Sequence, residues 1–231
     1  MPIKTIAFDA DDTLWHNEGL FREAEKEFCN LLEDYMPQHS SVKELYRVEL
    51  QNMQLYGYGI KAFMLSMIES AIEISGRTMN VTDIEQILRI GKELLQKPVI
   101  LLDHVEEVLK ELRSEYRLIL ATKGDLLDQQ RKLQKSGLEK YFHHIEIMSE
   151  KKESDYEKVI KHLDIKPTEF AMVGNSLKSD ILPVLNLEAR AFHVPYHITW
   201  EHEKVDRKVE HPRLTLLEDI SELPKHLSNL G

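Results

Sequence analysis

The 231-residue chain reads as an α/β protein: a doubly wound parallel sheet with an α-helical subdomain inserted after its first strand. Three observations predict this. Past Pro98, short apolar runs alternate with helical periodicity, the pattern of βαβ crossovers and of a parallel sheet covered on both faces. From about residue 17 to 97 the apolar spacing is helical and no convincing strand interrupts it. Polar loops built from Asp, Thr, Lys and Gly follow the predicted strands, where open Rossmann-like sheets place their ligands.

The elements follow in order. Ile3 to Phe8 (IKTIAF) is a short β-branched run that stops at Asp9 and reads as a buried strand. In the helical block, Phe21, Ala24, Phe28, Leu31 and Leu32 share one face. Ile60, Phe63, Met64, Met67, Ile68, Ala71 and Ile72 follow the i, i+3, i+4, i+7 rule more strictly, and Thr82 or Asp83 caps a third segment carrying Ile84, Ile87, Leu88, Leu94 and Leu95. Gln54 to Gly59 breaks the block with two glycines between aromatic groups. A helix around Val105 to Leu112 leads into Tyr116 to Ala121 (YRLILA), the second strand. Then helix 126–135 leads to the strand His144 to Met148, helix 154–163 to Phe170–Val173, and helix 177–186 to Ala189–Val194. Residues 195 to 215 hold no clear element; 214–217 (LTLL) suits a last strand and Ile220 to Leu227 a closing helix. The organisation is thus a core of residues 1–16 and 98–231 with a helical insertion over 17–97.

Composition excludes several partners. Forty acidic against 30 basic residues give a formal charge of −10, which argues against nucleic acid and against anionic lipid as partners. No apolar run approaches the roughly 20 residues of a membrane span. The N-terminus enters a strand-like run without the apolar stretch of a secretory signal, and a single Cys29 excludes a disulfide framework. The expectation is a cytoplasmic protein, with monomer and homodimer both open. Cys29 beside Phe28, and Met64 with Met67, read as packing residues.

Four constellations fall at the ends of four predicted strands. In the first, Asp9-Ala10-Asp11-Asp12-Thr13, residues two apart in an extended segment point the same way, so Asp9 and Asp11 face one site. Two close carboxylates suit one nucleophile, one acid/base and a cation, although Asp-Asp-Thr alone also reads as a turn or cap. In the second, Thr122-Lys123-Gly124, a hydroxyl and backbone N–H groups freed by a Gly turn make an oxyanion or phosphate cradle. The third, Ser149-Glu150-Lys151-Lys152, offers a lysine to screen carboxylate from phosphate. In the fourth, Gly174 lets the chain turn off the strand, and Asn175 and Asp180 supply the hard oxygen ligands that Mg²⁺ prefers.

In this order and at strand ends, these residues resemble the haloacid dehalogenase superfamily. Asp9, Asp11 and Thr13 match its Asp-x-Asp-x-Thr first motif, Thr122 its second-motif hydroxyl, and Lys151 its third-motif lysine, with Lys152 the rival one residue out of register. Gly174, Asn175 and Asp180 look like the fourth, acidic motif, and the helical block like the family's cap. One departure stands out: many members have Asp where this chain has Asn175, so Asp180 becomes the surer metal ligand, with Asn175 acting directly, through water, or by orienting Asp180. Dehalogenases of the family lack the second Asp of the first motif, so Asp11 favours phosphoryl transfer.

The resemblance implies a Mg²⁺-dependent phosphatase for a small phosphorylated metabolite. Asp9 would attack phosphorus to form an aspartyl-phosphate, and Asp11 would protonate the leaving oxygen and then activate water. Thr122 and the amides near Lys123 and Gly124 would bind the transferring oxygens, and Lys151 would offset their charge. Mg²⁺ would sit on Asp9, Asp180 and the backbone carbonyl of Asp11. A sugar-phosphate phosphomutase and a non-catalytic phosphate-binding relative are the alternatives; a signalling receiver would need no such insertion. Trp15, His16, Glu18 and Tyr58 follow the pair or break the helical block; Trp15 and Tyr58 read either as substrate-covering rings or as packing. His197, Trp200 and His202 read as a surface loop or an oligomer contact, their spacing matching no standard zinc motif. With Asp9, Asp11 and Asp180 ionised against Lys151, the site carries a charge of about −2, which one Mg²⁺ cancels.

Overall fold

A computed structural model describes residues 2–230. The described chain divides into two compact units. One comprises the chain up to Glu18, Val99–Lys123, and the chain from Gln129 onward; the other comprises Gly19–Pro98 and Gly124–Asp128.

Six parallel strands form the sheet of the first unit: β1 (Thr5–Phe8), β2 (Arg117–Lys123), β3 (His144–Met148), β4 (Phe170–Gly174), β5 (Arg190–His193) and β6 (Leu214–Leu216). Their order is β3-β2-β1-β4-β5-β6. The chain runs outward from β1 through β2 to β3, then crosses back to place β4 on the other side of β1. That reversal is the switch point at which doubly wound sheets open a crevice beyond the strand ends. In register, Phe8 pairs with Leu120 on one side and Val173 on the other, and the Asp9 N–H donates to the Val173 carbonyl at 2.9 Å. Asp9 thus leaves the sheet still tied to its central strands.

Strand residues alternate between two apolar layers because successive side chains point to opposite faces. Ile6, Phe8, Leu118, Leu120, Val173 and Phe192 face the layer built by α5 (Val105–Leu112), α6 (Leu126–Ser136) and α9 (Leu223–Ser228). Ala7, Ile119, Ala121, Met172 and Ala191 face α7 (Glu153–His162) and α8 (Leu182–Asn186).

The predicted continuous helix 177–186 is instead one wide π-type turn, Leu177–Ile181, followed by α8. Pro183 is the reason. It has no N–H to give the Ser179 carbonyl, which instead accepts from the Tyr156 hydroxyl at 3.0 Å, while Ile181 N–H reaches back five residues to Ser176 at 3.2 Å.

The second unit holds α1 (Glu18–Leu31) from its second residue on, α2 (Gln38–Tyr56), α3 (Ile60–Ile74) and α4 (Val81–Gln96), packed around Phe28, Leu45, Phe63, Met67, Ile87 and Leu94. Cys29 lies in this core, and burial pushes its thiol up to about 11. Ile72, expected on the apolar stripe, is exposed. The cap of α4 is Asn80, whose side chain accepts from the Asp83 N–H at 2.9 Å, in place of Thr82 or Asp83. No helix among the described residues is long and apolar enough to cross a membrane.

Candidate active site

Beyond the ends of β1 and β4 three charged side chains meet in the interior. The Lys151 ammonium donates to Asp9 Oδ1 and, at 2.6 Å, to Asp180 Oδ1; all three residues are buried. Of the two adjacent lysines it is Lys151 that meets the aspartates, while Lys152, one residue on, is exposed at the start of α7. Burial pushes the Asp9 carboxyl up to about 7, with the negative charge of Asp180 adding to the rise and Lys151 opposing it. Lys151 itself, desolvated but facing two carboxylates, is held charged well above its ordinary range.

Asp180 reaches this position because of a glycine. A Cβ on Gly174 would lie 2.4 Å from Asp180 Oδ2 and 2.6 Å from Asp180 Cβ, so a side chain there is excluded. The sequence assigned Gly174 to a sharp turn, yet it is the last residue of β4 and its role is clearance. Ser176 completes the loop: its N–H donates to Asp180 Oδ2 at 3.0 Å and its hydroxyl caps Ser179 N–H at 3.0 Å. Gly174→Ala is expected to lower stability by about 1–3 kcal/mol through overpacking and to displace Asp180. Thermal unfolding reads the first effect and phosphate release the second; unchanged values in both would refute the clearance role.

Thr13 ties the first and fourth motifs. Its hydroxyl lies 3.1 Å from Asp9 Oδ2 and 3.2 Å from Asn175 Oδ1, and accepts the Asn175 N–H at 3.1 Å. With one hydrogen to donate, it serves one of those oxygens at a time. Asn175 is also held by its carbonyl, which accepts from His193 Nε2 at 2.9 Å.

The segment after β1 departs from the extended run expected. The Ala10 carbonyl accepts the N–H groups of Thr13, Leu14 and Trp15, and Asp12 takes φ +61°, so the chain turns tightly. Asp12 caps α1 through the N–H groups of Asn17 and Glu18, and burial pushes its carboxyl up to about 7. Asp11 points to other partners than Asp9 does: Trp15 Nε1 at 2.7 Å, Gln129 Nε2 at 2.8 Å and Lys132 Nζ at 2.6 Å. Trp15 is fully buried in the core, in keeping with the packing reading, and its indole N–H is used on Asp11. The Lys132 ion pair also revises the charge balance, leaving the site about one uncompensated negative charge rather than two.

Thr122 is buried at the end of β2, and its hydroxyl has no hydrogen-bond partner among the described residues. A buried hydroxyl without a partner beside a charged site suits a ligand oxygen. Gly124, at φ +149°, turns the chain off that strand. The Lys123 ammonium is committed elsewhere, to Glu203 at 2.6 Å and Ser179 at 3.2 Å. As a phosphate ligand, Lys123 is left to its backbone. Glu203 also accepts from the hydroxyls of Ser176 and Ser179 at 2.5 and 2.6 Å. Burial alone would raise its carboxyl, but Lys123 and the two hydroxyls pull it down to about 2. The loop from 195 to 205, which carries His197 and His202, is anchored by this glutamate.

The donor chemistry present is of the kind that suits a divalent cation: the two buried carboxylates of Asp9 and Asp180 and the neighbouring Asn175 amide oxygen are hard oxygen donors, while no cluster of three or more His, Cys, Asp or Glu among the described residues is arranged to hold a metal.

A parallel sheet of this order, with an aspartate at each side of its switch point and a lysine between them, is the architecture of a hydrolase family. The chain belongs to the haloacid dehalogenase-like hydrolases, whose family model matches residues 3–184, and it is a phosphatase, a phosphoric monoester hydrolase, of that superfamily. It is 30% identical over 200 residues to N-acylneuraminate-9-phosphatase of Mus musculus, covering 82% of this chain and 81% of that one. It is 25% identical to glyceraldehyde 3-phosphate phosphatase of Methanothermobacter thermautotrophicus, covering 97% of this chain and 100% of the relative. Among solved structures, a haloacid dehalogenase-like family hydrolase from Xanthomonas campestris superposes with a TM-score of 0.88 at 37% identity, covering 99% of this chain and 91% of that one.

Proposed function

We propose that the protein is a Mg²⁺-dependent phosphatase that hydrolyses a small phosphorylated metabolite through an aspartyl-phosphate on Asp9. The observation that carries this reading is the buried Asp9–Lys151–Asp180 cluster at the switch point of the sheet. Asp9, Asp180 and the Asp11 backbone carbonyl hold the cation, with Asn175 contributing directly, through water, or by orientation. Bound Mg²⁺ supplies positive charge that offsets the carboxylates and the phosphoryl oxygens.

The chain's own residues do the rest. Asp9 attacks phosphorus in line as the bond to the ester oxygen breaks, and Asp11 gives that oxygen a proton. Water then attacks the same phosphorus, Asp11 takes its proton, and the bond to Asp9 breaks to release inorganic phosphate. Thr122, with the backbone of Lys123 and Gly124, binds the transferring oxygens, and Lys151 balances charge as Asp9 passes from carboxylate to acyl phosphate.

Sugar phosphates are the first candidates to try, a choice supported by the names of two relatives, N-acylneuraminate-9-phosphatase and glyceraldehyde 3-phosphate phosphatase. The test is phosphate release from a panel of sugar phosphates, phosphoglycolate, nucleoside monophosphates and p-nitrophenyl phosphate. At least one ester should turn over with MgCl₂, lose turnover in EDTA and recover it on adding Mg²⁺. Metal-independent turnover, or no release from any ester, would overturn the proposal.

A further inference from the structure

We infer that Lys132, Gln129 and Trp15 are positioning residues for Asp11, and that together they fix which of its two oxygens carries the transferred proton. The inference rests on the proposed role of Asp11 as acid and base, and adds residues and an atom to it. Asp11 Oδ1 accepts two hydrogens, from the Trp15 indole at 2.7 Å and from the Lys132 ammonium at 2.6 Å. Asp11 Oδ2 accepts one, from the Gln129 amide at 2.8 Å. A carboxylate oxygen has two lone-pair directions, so Oδ1 is filled while Oδ2 keeps one open. The proton therefore leaves from and returns to Oδ2. When Asp11 is protonated there, Oδ1 remains the carbonyl-type acceptor its two donors require.

The clamp is itself held. Trp15 is fully buried, and its carbonyl accepts the Asp12 N–H at 2.8 Å, closing the turn that carries Asp11. Gln129 is buried and also donates to the Lys123 carbonyl at 3.3 Å, at the end of β2. Lys132 also donates to Asn17 Oδ1 at 3.0 Å. Gln129 and Lys132 are three residues apart on α6, on one helical face, so a single rigid element presents both donors. Three donors on one carboxylate remove the rotamer freedom that would otherwise scatter its proton over many directions, and misplacement by about 1 Å is enough to cost ~10²-fold in rate.

In the first step the proton on Oδ2 passes to the ester oxygen as its bond to phosphorus breaks, leaving Asp11 ionised. In the second, the attacking water gives its proton back to Oδ2 while the phosphorus–Asp9 bond breaks. An acid matters most when the leaving oxygen is strongly basic and least when it departs readily as an anion. The clamp is thus testable by leaving group, independently of the natural substrate.

The experiment measures kcat/KM in saturating MgCl₂ for substituted phenyl phosphates running from p-nitrophenyl to p-methoxyphenyl, in the wild type and in Lys132→Met, Gln129→Leu, Lys132→Arg and Asp11→Asn. Lys132→Met and Gln129→Leu are expected to slow the p-methoxyphenyl ester about 10- to 100-fold and the p-nitrophenyl ester less than about threefold, steepening the dependence on leaving group. Lys132→Arg, which keeps a charged donor, should restore most of the loss. Uniform slowing across the series in variants that unfold at the wild-type temperature would overturn the positioning role, as would no slowing at all. Either variant suffices if the other fails to fold. Asp11→Asn separates the two levels: if it does not steepen the series, the acid role of Asp11 is wrong, whereas steepening there without steepening in the clamp variants refutes the clamp alone.

Discussion

Asp9→Asn is expected to lose turnover by about 10⁴-fold or more while the fold persists, because a neutral amide oxygen lacks the carboxylate's negative charge and is a far weaker nucleophile toward phosphorus. The substitution is conservative for everything else Asp9 does. An amide oxygen still accepts from the Thr13 hydroxyl, and Lys151 keeps Asp180 as its ion-pair partner. Burial and Asp180 raise the Asp9 carboxyl to about 7, so its ionisation opposes folding. The sign follows directly: the folded-state value lies above the unfolded one, so the contribution to stability is fully present below about pH 4 and is lost as pH rises through the folded value. Removing the charge should therefore leave the unfolding temperature at pH 8 equal to or above that of the wild type. Phosphate release and thermal unfolding on the same preparation check both halves. Turnover within tenfold of wild type would dismiss Asp9 as nucleophile.

Lys151→Met should be the most damaging single change to stability. It removes the ammonium that joins Asp9 to Asp180 and leaves two buried carboxylates facing each other. Breaking a buried pair by deleting one partner typically costs ~3–5 kcal/mol, since the remaining charge has no compensation. The loss should be greatest near pH 8 and shrink toward pH 5, where a proton shared by the two carboxylates replaces the ammonium. MgCl₂ should stabilise this variant more than it stabilises the wild type, because a dication supplies the missing positive charge. Denaturant unfolding at two pH values, with and without MgCl₂, measures all of this. A loss that is independent of both pH and Mg²⁺ would mean that Lys151 acts by packing rather than by charge.

Much of the site was legible because the catalytic side chains hang from strand ends, and strands announce themselves by short apolar runs. Asp9 and Thr122 sit at the ends of IKTIAF and YRLILA, the lysine pair 151–152 shortly after HIEIM, and Asp180 in the turn that follows FAMVG. Choosing between Lys151 and Lys152 was beyond periodicity, since adjacent loop residues differ only in where the backbone aims them. Gln129, Lys132 and Glu203 were missed for a plainer reason. Glutamine and lysine on a helix, and glutamate in a loop, are what a solvated surface also contains. A signal existed for the helix alone: Gln129 and Lys132 share a face of α6 with little apolar character to explain it.

The sequence by itself determined the α/β class and the succession of strands, though not the separate helix α2, and it set Asp9, Thr122 and Lys151 at or just past the ends of strands, because hydrophobic period is a property of the local chain. Only the tertiary structure decided which charges pair. The register of β1 against β2 and β4 brings residues far apart in sequence within hydrogen-bond distance, and there Lys151 serves Asp9 and Asp180 while Lys132 serves Asp11. Pairing depends on distances of a few ångströms inside a desolvated crevice, where an ion pair is strongest and an unpaired charge most costly.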